Sequence, residues 1–563
     1  MWLNTKPTPP LLPQAKAKSA AGEAAESDFA PKPLFAGRFR AKAWSRVAGL
    51  DAGQDAERDA GQDAGWRRAR RPVPARALAL LLFALPLLAA CAGKGTSQSI
   101  TLDDEGAVTG FIGGVVSDEP EAALVGRDLL SAGGTAADAA AGMYFALSVT
   151  YPSAASLGGG GVCVVYAPAE KSASVLDFRA RDPAAPGPVA VPANVRGFAA
   201  LQARYGRLRW ARILAPAEKL ARLGFPLSHA TAETMAALGP QAGERIPGFL
   251  RDAAGRPLAE GATVRELDLG ATLARLRTAG IADLYSGDLA RRFLAAQGEA
   301  GGTLVMADLL RGAAQWHQPA VLSFAHLSLM IPPDGSGSRI FTRLWQATVA
   351  PPGSLGLGGG TFQDTKLPAA LASAYAGAGG NLPVGGNGST GFVAMDSYGE
   401  AVACTVSMGK AFGVGKVAAD TGILLAQAPG APGDESRYLA PLVVAALTTH
   451  QAVAAIAATG GAVVPAVEVQ VLAAALAGNQ TAAAAEVAPR LFRAGPQAVV
   501  LHEPGLSNAM RAAITASGAT AAPVSDLGRV SLGLCPKGLE HGPESCRFRA
   551  DPRGFGLAVG AGL

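Results

Sequence analysis

Residues 386–413 read GNGSTGFVAMDSYGEAVACTVSMGKAFG, and this stretch contains two strand-like runs on either side of a tight turn. The runs are rich in apolar residues, whereas the turn at 396–399 reads Asp-Ser-Tyr-Gly. Asp and Gly at such a position favour a short connection between antiparallel strands. The stretch therefore predicts a β-hairpin in the second half of the chain.

Helix and strand patterns alternate on both sides of this hairpin. In GGVVSDEPEAALVGRDLLSAGG (113–134), Val115 and Val116 predict a short strand, and Ser117 as N-cap with Pro120 in the first turn predicts the helix that follows. The next run, TAADAAAGMYFALSVT (135–150), is almost entirely small and apolar, which predicts a buried helix. Strands interleaved with buried helices favour an α/β layer sandwich.

The bulk composition is that of a globular protein. Of the 563 residues, 49% are hydrophobic and 17% are charged, which is not the composition of a disordered chain. The net charge of +5 is small for this length, and much of the basic excess precedes residue 80. We therefore expect no nucleic-acid partner.

Cysteine and histidine usage argues against a metal site. The sequence has five cysteines without a CxxC motif and six histidines without an HExxH motif. A structural zinc site needs four clustered nitrogen or sulfur ligands, which this pattern does not supply. We expect neither a metal nor another cofactor. Cys535 and Cys546 flank a short Pro/Gly-rich loop and could pair in an oxidising compartment; two unlinked thiols are the alternative.

The first 110 residues are expected to lie mostly outside the fold. Residues 1–72 lack long apolar periodicity and repeat DAGQDA, which predicts a disordered or untranslated extension. Residues 73–91 have the order of a secretory signal, whose apolar run of about 14 residues is too short to span a membrane. Its end resembles a bacterial lipobox, which implies lipid attachment at Cys91 and a tether over 92–110. A plain signal peptide or a buried helix is the alternative.

Together these features predict a lipid-anchored protein at the periplasmic face of the cell envelope. Contact with the membrane is expected only through the anchor at Cys91.

From about Gly113 to Leu563 the chain resembles the γ-glutamyltranspeptidase family of the N-terminal-nucleophile hydrolases. An ordered set of segments carries the resemblance: VVSDEPEAALVGRDLLSAGGTAADAA (115–140), YPSAASLGGGG (151–161), VLDFR (175–179), VPANVRGFAALQARYGRLRWARILAPAEKLARLGFPLS (191–228), ADLYSGDLARRF (282–293), IPPDGSG (331–337), the stretch 386–413, TGG (459–461), APR (488–490) and ADPRG (550–554). The resemblance implies an α/β fold, a four-layer αββα sandwich. It also implies a chain that cuts itself once, into a large region 111–388 and a small region 389–563.

The resemblance places Ser389 at the position of the nucleophile, which becomes the new N-terminus after the cut. Its free α-amino group, with a pKa of about 7.7–8.0 in model compounds, can then take the proton of the hydroxyl, so no histidine is required. Family members usually carry Thr-Thr-His here, and serine keeps the hydroxyl but loses the β-methyl group that restricts χ1. Thr390 is the alternative nucleophile if the register is shifted by one, and a plain loop entering a strand is the third interpretation.

Four further residues match family site residues. Ser407 falls where a second hydroxyl binds the amine of the nucleophile. Gly460 and Gly461 match the glycine pair whose backbone N–H groups help to form the oxyanion hole, with a plain turn as the alternative. Arg179 matches the arginine that binds the substrate carboxylate, with a salt bridge to Asp177 or Asp182 as the alternative.

The chain departs from the family where the α-ammonium group of a γ-glutamyl substrate would bind. Gly409 and Ala428 occupy those positions, Ala180 replaces a glutamate, and 437–438 reads Arg-Tyr in place of a serine pair. Three functions therefore stay open. They are an amidase or acyltransferase for γ-glutamyl amides such as glutathione, an amidase for acyl groups such as glutaryl that carry only a carboxylate, and a catalytically degenerate envelope lipoprotein.

Overall fold

The computed structural model describes residues 111–562 except for 240–244, 352–359, 379–381, 496–498 and 540–544. The predicted extension, the signal segment with Cys91 and the tether lie outside the described residues.

The first of two large sheets contains the hairpin predicted from 386–413. Within the described residues its strand order is β22-β1-β11-β12-β2-β3-β6, and every neighbouring pair is antiparallel. These strands are β1 Phe111–Ser117, β2 Gly160–Ala167, β3 Ser172–Phe178, β6 Gln315–His317, β11 Ser389–Asp396, β12 Ala401–Ser407 and β22 Leu557–Gly562. The hairpin is therefore confirmed as β11 and β12, at the centre of this sheet.

The second large sheet has the order β21-β20-β16-β15-β8-β7 and is also antiparallel throughout. Its strands are β7 Ala320–Phe324, β8 Leu327–Ile331, β15 Leu442–Ala446, β16 Ala452–Thr459, β20 Arg529–Leu534 and β21 Arg547–Ala550. Short strands form smaller sheets: β4 Phe225–Pro226, β5 Thr263–Val264, β9 Val349–Ala350, β10 Thr361–Phe362, β13 Val417–Ala418, β14 Ile423–Leu424, β17 Leu491–Phe492, β18 Val499–His502 and β19 Thr520–Pro523.

Helices cover the outer faces of both sheets. Those of the described residues are α1 Pro120–Ser131, α2 Ala136–Thr150, α3 Asn194–Tyr205, α4 Trp210–Leu223, α5 His229–Ala237, α6 Leu267–Ala279, α7 Ala282–Ser286, α8 Asp288–Glu299, α9 Met306–Arg311, α10 Ser336–Thr348, α11 Leu367–Ala374, α12 Val464–Leu476, α13 Ala482–Val487 and α14 Asn508–Ala516.

Three buried clusters show the order of the layers. One cluster lies between the two sheets and includes Val393 from β11 and Ala455 from β16. A second packs the first sheet against α1 to α6 and α8, and a third packs the second sheet against α10, α11, α12 and α14. The fold is thus a four-layer αββα sandwich, as the sequence predicts.

The beginning of α1 differs from the prediction in its capping residue. Ser117 is the last residue of β1, where it is paired with both neighbouring strands and cannot cap the helix. Glu119 is the N-cap instead, and its carboxylate accepts a hydrogen bond from the Ala122 N–H at 2.9 Å. The prediction of Ser117 was wrong because the strand extends through it.

Candidate active site

Ser389 lies at the first position of β11, beside Ser407 at the last position of β12. Both serines are buried, at 2% exposure. The Ser389 Oγ donates a hydrogen bond to Oε2 of Glu435 at 2.8 Å. The pairing of β11 with β12 therefore holds the hydroxyl of Ser389 at one end of these central strands, with a carboxylate as its hydrogen-bond partner.

The carbonyl of Gly388, which precedes Ser389, accepts two hydrogen bonds. The Ser407 Oγ donates at 3.0 Å and the Met408 N–H donates at 2.8 Å. Ser407 is itself fixed, because its Oγ accepts a hydrogen bond from the Gly409 N–H at 2.9 Å. Two donors on one carbonyl oxygen polarise that carbonyl and would stabilise a negative charge developing on it.

Glu435 is the site residue that the sequence analysis missed. In addition to Ser389, its carboxylate accepts a hydrogen bond from the Gly388 N–H at 3.0 Å. Burial raises the pKa of Glu435 to about 7, and the hydrogen bonds from Ser389 and Gly388 oppose that rise. The only signal in the sequence is an acidic pair, Asp434-Glu435, directly after the Pro/Gly-rich run 429–433.

Thr390 points to the opposite face of the strand, as successive residues of a β-strand do. Its hydroxyl donates to Oδ2 of Asp118 at 2.9 Å, and both side chains are buried. Burial raises the pKa of Asp118 to about 6, although Arg529 lowers it. Ser389 and Thr390 thus each have a carboxylate partner, in separate environments.

Gly460 and Gly461 follow β16 and lie beside the segment that precedes Ser389. Both have left-handed backbones, with φ of 126° and 70°, which favour glycine. A Cβ on Gly461 would lie 2.3 Å from the carbonyl oxygen of Pro383. The Ala462 N–H donates to that same oxygen at 2.7 Å, so in the uncut chain the residues before Ser389 cover the glycine loop.

Arg179 follows β3, across the sheet from Ser389. The two residues are separated by β12 and β2, where Ser407 pairs with Gly160. The guanidinium of Arg179 binds the carboxylate of Asp177, and about a fifth of each side chain is exposed. This is the salt bridge given as the alternative interpretation. In this structure the guanidinium of Arg179 is therefore bonded to Asp177.

A cavity of about 840 Å³ borders the loop that holds Gly388. Lys410, Gln427 and Ala428 are among its lining residues, and the backbone of Lys410 would lie 2.2 Å from a Cβ on Gly388. Burial and the nearby Arg245 lower the pKa of Lys410. The backbone of Lys410 therefore lies close to Gly388, and Lys410 also lines the cavity.

The remaining departures from the family pattern lie around this region. Gly409 has a left-handed backbone and packs against Gln427, and Ala180 packs against Gly160 at the end of the first sheet. Arg437 and Tyr438 form a single helical turn directly after Glu435. The carboxylate nearest to Ser389 thus comes from 435 and not from any position that the resemblance identifies.

Two disulfides are present in the structure. Cys535 and Cys546 are bonded, which is the pairing that the sequence left open. The second, between Cys163 and Cys404, joins directly opposite residues of β2 and β12. The sequence gives no signal for this second pair, because its cysteines are separated by 241 residues.

Comparison with known proteins shows similarity to one family over part of the chain. Residues 122–347 match the sequence profile described as gamma-glutamyltranspeptidase. Glutathione hydrolase 7 of Homo sapiens is 32% identical over 250 residues, which cover 41% of this chain and 38% of that protein. The glutathione hydrolase proenzyme of Bacillus subtilis (strain 168) is 30% identical over 223 residues, covering 35% of this chain and 37% of that protein. Over this part of its length, the chain is similar to the γ-glutamyltranspeptidase family.

The structural similarity extends beyond the matched sequence. The crystal structure of cephalosporin acylase from Bacillus halodurans superposes with a TM-score of 0.67 at 20% identity, covering 83% of this chain and 99% of that one. The chain spans less than two fifths of the length of the curated relatives described above. The profile match also ends before Ser389, so the site residues are assigned from the stretch 386–413 and from their geometry.

None of the helices in the described residues combines the length and apolar character needed to cross a membrane. Nor does that part of the chain hold three or more His, Cys, Asp or Glu side chains grouped as metal ligands.

Proposed function

We propose that this chain is an N-terminal-nucleophile amidohydrolase or acyltransferase that cleaves itself before Ser389 and acts on γ-glutamyl amides such as glutathione. One observation carries the proposal: the buried hydroxyl of Ser389 lies beside the Gly388 carbonyl, whose oxygen already accepts two hydrogen bonds. A nucleophile, a polarised carbonyl and a proton acceptor are the three parts that an acyl shift at this bond requires.

The cut would create the groups that turnover needs. The α-amino group of Ser389 becomes free and can act as the base for its own hydroxyl. Release of 383–388 would break the hydrogen bond from the Ala462 N–H to the Pro383 carbonyl and uncover Gly460 and Gly461. Their backbone N–H groups are proposed to bind the oxyanion of a substrate. Arg179 is proposed to bind the substrate carboxylate. That carboxylate must either displace Asp177 from the Arg179 guanidinium or bind the guanidinium together with Asp177.

A second candidate is an amidase for acyl groups that carry a carboxylate but no α-amino group, such as glutaryl. The departures at Gly409 and Ala428 favour it, because neither residue has a side-chain acceptor for an ammonium group. The lining of the cavity near Gly388 contains the cation of Lys410 together with the carboxylate of Asp182. A buried ammonium without acceptors costs a few kcal/mol or more.

The test uses the full chain and a reducing denaturing gel. Wild-type protein should give two fragments, the smaller of which is Ser389–Leu563 with 175 residues. Ser389→Ala should stay uncut and inactive, while a chain that is never cut would favour the degenerate, structural alternative. Cut protein is then offered γ-glutamyl anilide and glutaryl anilide. Release from the glutaryl compound alone would reject the γ-glutamyl assignment in favour of the second candidate.

Lipid anchoring at Cys91 and a location at the periplasmic face are further proposals. Disulfides persist in oxidising compartments, and the two pairs in the structure support an exported protein. Labelled palmitate should enter the wild-type chain in cells but not Cys91→Ala. Equal labelling of both would reject the anchor.

A further inference from the structure

Self-cleavage before Ser389 poses a proton problem that the mature enzyme does not have. After the cut, the α-amino group of Ser389 can accept the proton of its hydroxyl. Before the cut, the same nitrogen belongs to a peptide bond, whose lone pair is delocalised and is not basic. A different group must therefore take the proton during the first reaction of this chain. The inference below rests on the proposed function, because it concerns the reaction that creates the nucleophile.

Glu435 is positioned to accept the proton of the Ser389 hydroxyl. Its Oε2 lies 2.8 Å from the Ser389 Oγ, within the range for direct proton transfer. Its Oε1 accepts a hydrogen bond from the Gly388 N–H at 3.0 Å. The carboxylate is therefore bonded to both residues of the peptide bond that is cut. We propose that Glu435 is the general base and then the general acid of self-cleavage between Gly388 and Ser389.

The other polar groups nearby are already engaged in different roles. The hydroxyl of Ser407 donates to the Gly388 carbonyl oxygen, so it acts as an oxyanion donor. The carboxylate of Asp118 binds Thr390 on the opposite face of β11. The hydrogen bond that the structure gives to the Ser389 side chain ends on the carboxylate of Glu435.

The steps balance without a cofactor. Glu435 removes the proton as the Ser389 Oγ forms a bond to the Gly388 carbonyl carbon, and the oxyanion is held by Ser407 and the Met408 N–H. The carbon–nitrogen bond then breaks, and the protonated Glu435 gives its proton to the leaving nitrogen, which becomes the α-amino group of Ser389. Water hydrolyses the resulting ester, which leaves a carboxylate on Gly388 and restores the Ser389 hydroxyl.

The surroundings of Glu435 suit both halves of this cycle. Burial and the neighbouring Asp434 raise the pKa of Glu435, and Arg245 lowers it, with a result of about 7. Arg245 is fixed by a hydrogen bond to the carbonyl of Ala411 at 2.8 Å. Lys410, which directly precedes Ala411, is a second cation in this region. A group with a pKa near 7 is basic enough to accept the proton and acidic enough to return it.

The experiment follows the loss of full-length chain after a pulse of cell-free synthesis, between about pH 5.5 and 8.5. For wild type we expect the rate to rise with pH through about 7 and then to level off, because the carboxylate form is the active one. Glu435→Gln should slow cleavage by at least about 100-fold and abolish the pH dependence. Glu435→Asp should restore part of the rate together with the rise with pH.

Glu400→Gln is the matched control. Glu400 is also buried, accepts a backbone N–H from Ala137 and has a pKa that burial raises to about 8, but it lies at the far end of the hairpin. Its replacement should leave the cleavage rate within about threefold of wild type.

Several results would overturn the inference. Glu435→Gln cut at the wild-type rate, or a wild-type rate that is flat over the whole pH range, would reject Glu435 as the base while leaving the proposed function in place. A wild-type chain that is never cut would reject both. The wild-type profile tests the inference even if the Glu435 variants do not fold.

Discussion

At the scale of single residues, Gly388 is as constrained as the serine that follows it. A Cβ there would lie 2.2 Å from the carbonyl carbon of Lys410 and 2.4 Å from its Cα, and both are backbone atoms that cannot rotate away. We predict that Gly388→Ala destabilises the chain by about 1–3 kcal/mol and slows self-cleavage at least about tenfold. Thermal unfolding and a time course on reducing gels measure both effects.

Gly377→Ala serves as the control for this substitution, since a Cβ there would meet no atom within 4 Å. It should change the unfolding free energy by less than about 0.5 kcal/mol and leave cleavage unchanged. Equal behaviour of the two variants would show that the segment around Gly388 can move, and that its position does not limit the reaction.

Replacing Thr390 tests whether Ser389 or Thr390 is the nucleophile. Thr390→Val keeps the shape of the side chain but removes the hydroxyl that Asp118 accepts at 2.9 Å. We predict a loss of about 1–3 kcal/mol in stability and an unchanged cut, with Ser389 as the first residue of the small fragment by N-terminal sequencing. A fragment that begins at 390 in the wild type, or a variant that folds without being cut, would assign the reaction to Thr390.

What the sequence reveals at this scale depends on how close the partners are along the chain. Ser389 and Ser407 belong to one hairpin, so the spacing of the strands predicts that they meet, and they do. Glu435 reaches the same point from a loop 46 residues beyond Ser389. No motif or periodicity encodes that approach, which follows from the path of the chain after β14.

At the scale of elements, the beginning of α6 contains an unfavourable carboxyl group. Glu266 is the N-cap residue, yet its side chain makes no capping hydrogen bond, and its Oε1 is buried without a partner. Burial holds the pKa of Glu266 well above its usual value. The folded chain therefore keeps a proton that the unfolded chain loses above about pH 4.3, and stability falls as the pH rises, by up to about 1.4 kcal/mol per pH unit.

Glu266→Gln should remove this dependence, because an amide does not titrate. We predict that the variant unfolds at a higher temperature than wild type at about pH 8 and that the difference shrinks towards about pH 5. Glu299→Gln, at the exposed end of α8, is the control and should shift neither curve. A constant difference between Glu266→Gln and wild type across the pH range would show that the carboxyl group is not the cause.

The sequence predicts that helices and strands exist better than it predicts the residues at which they begin and end. The segment 442–458 is mostly apolar, but the polar residues TTHQ at 448–451 interrupt it. The chain turns at 447–451 between the paired strands β15 and β16. This turn has no Gly or Pro, and His450 supplies the left-handed backbone, with φ of 54°. A short polar interruption therefore indicates where the strands end, but it does not specify the conformation of the turn.

At the scale of the whole molecule, the layers follow from the sequence but the strand order does not. Alternating buried helices and strands are enough to predict an α/β sandwich. The order β22-β1-β11 places the last strand of the described residues beside the first, a long-range contact that no local pattern fixes. That order matters for function, because it decides which strands remain paired after the chain is cut.

A cut before Ser389 would leave the two fragments interlocked. β1 belongs to the large fragment but lies between β11 and β22 of the small one, and β12 pairs with β2 in the same way. The second sheet repeats the arrangement where β15 pairs with β8. Cys163 and Cys404 also lie on opposite sides of the cut, so their disulfide joins the fragments covalently.

This arrangement predicts how the processed protein behaves in each solvent. Under native conditions it should elute as one species of unchanged size, with or without reductant, since the backbone ladders and the buried core hold the fragments together. In denaturant without reductant it should remain one covalent species that is heavier than the uncut chain by one water molecule, and reductant should release the fragments. Cys163→Ala with Cys404→Ala should separate in denaturant alone, whereas Cys535→Ala with Cys546→Ala should not, because both of those cysteines lie in the small fragment. Processed wild-type protein that separates in denaturant without reductant would show that Cys163 and Cys404 are not bonded in solution.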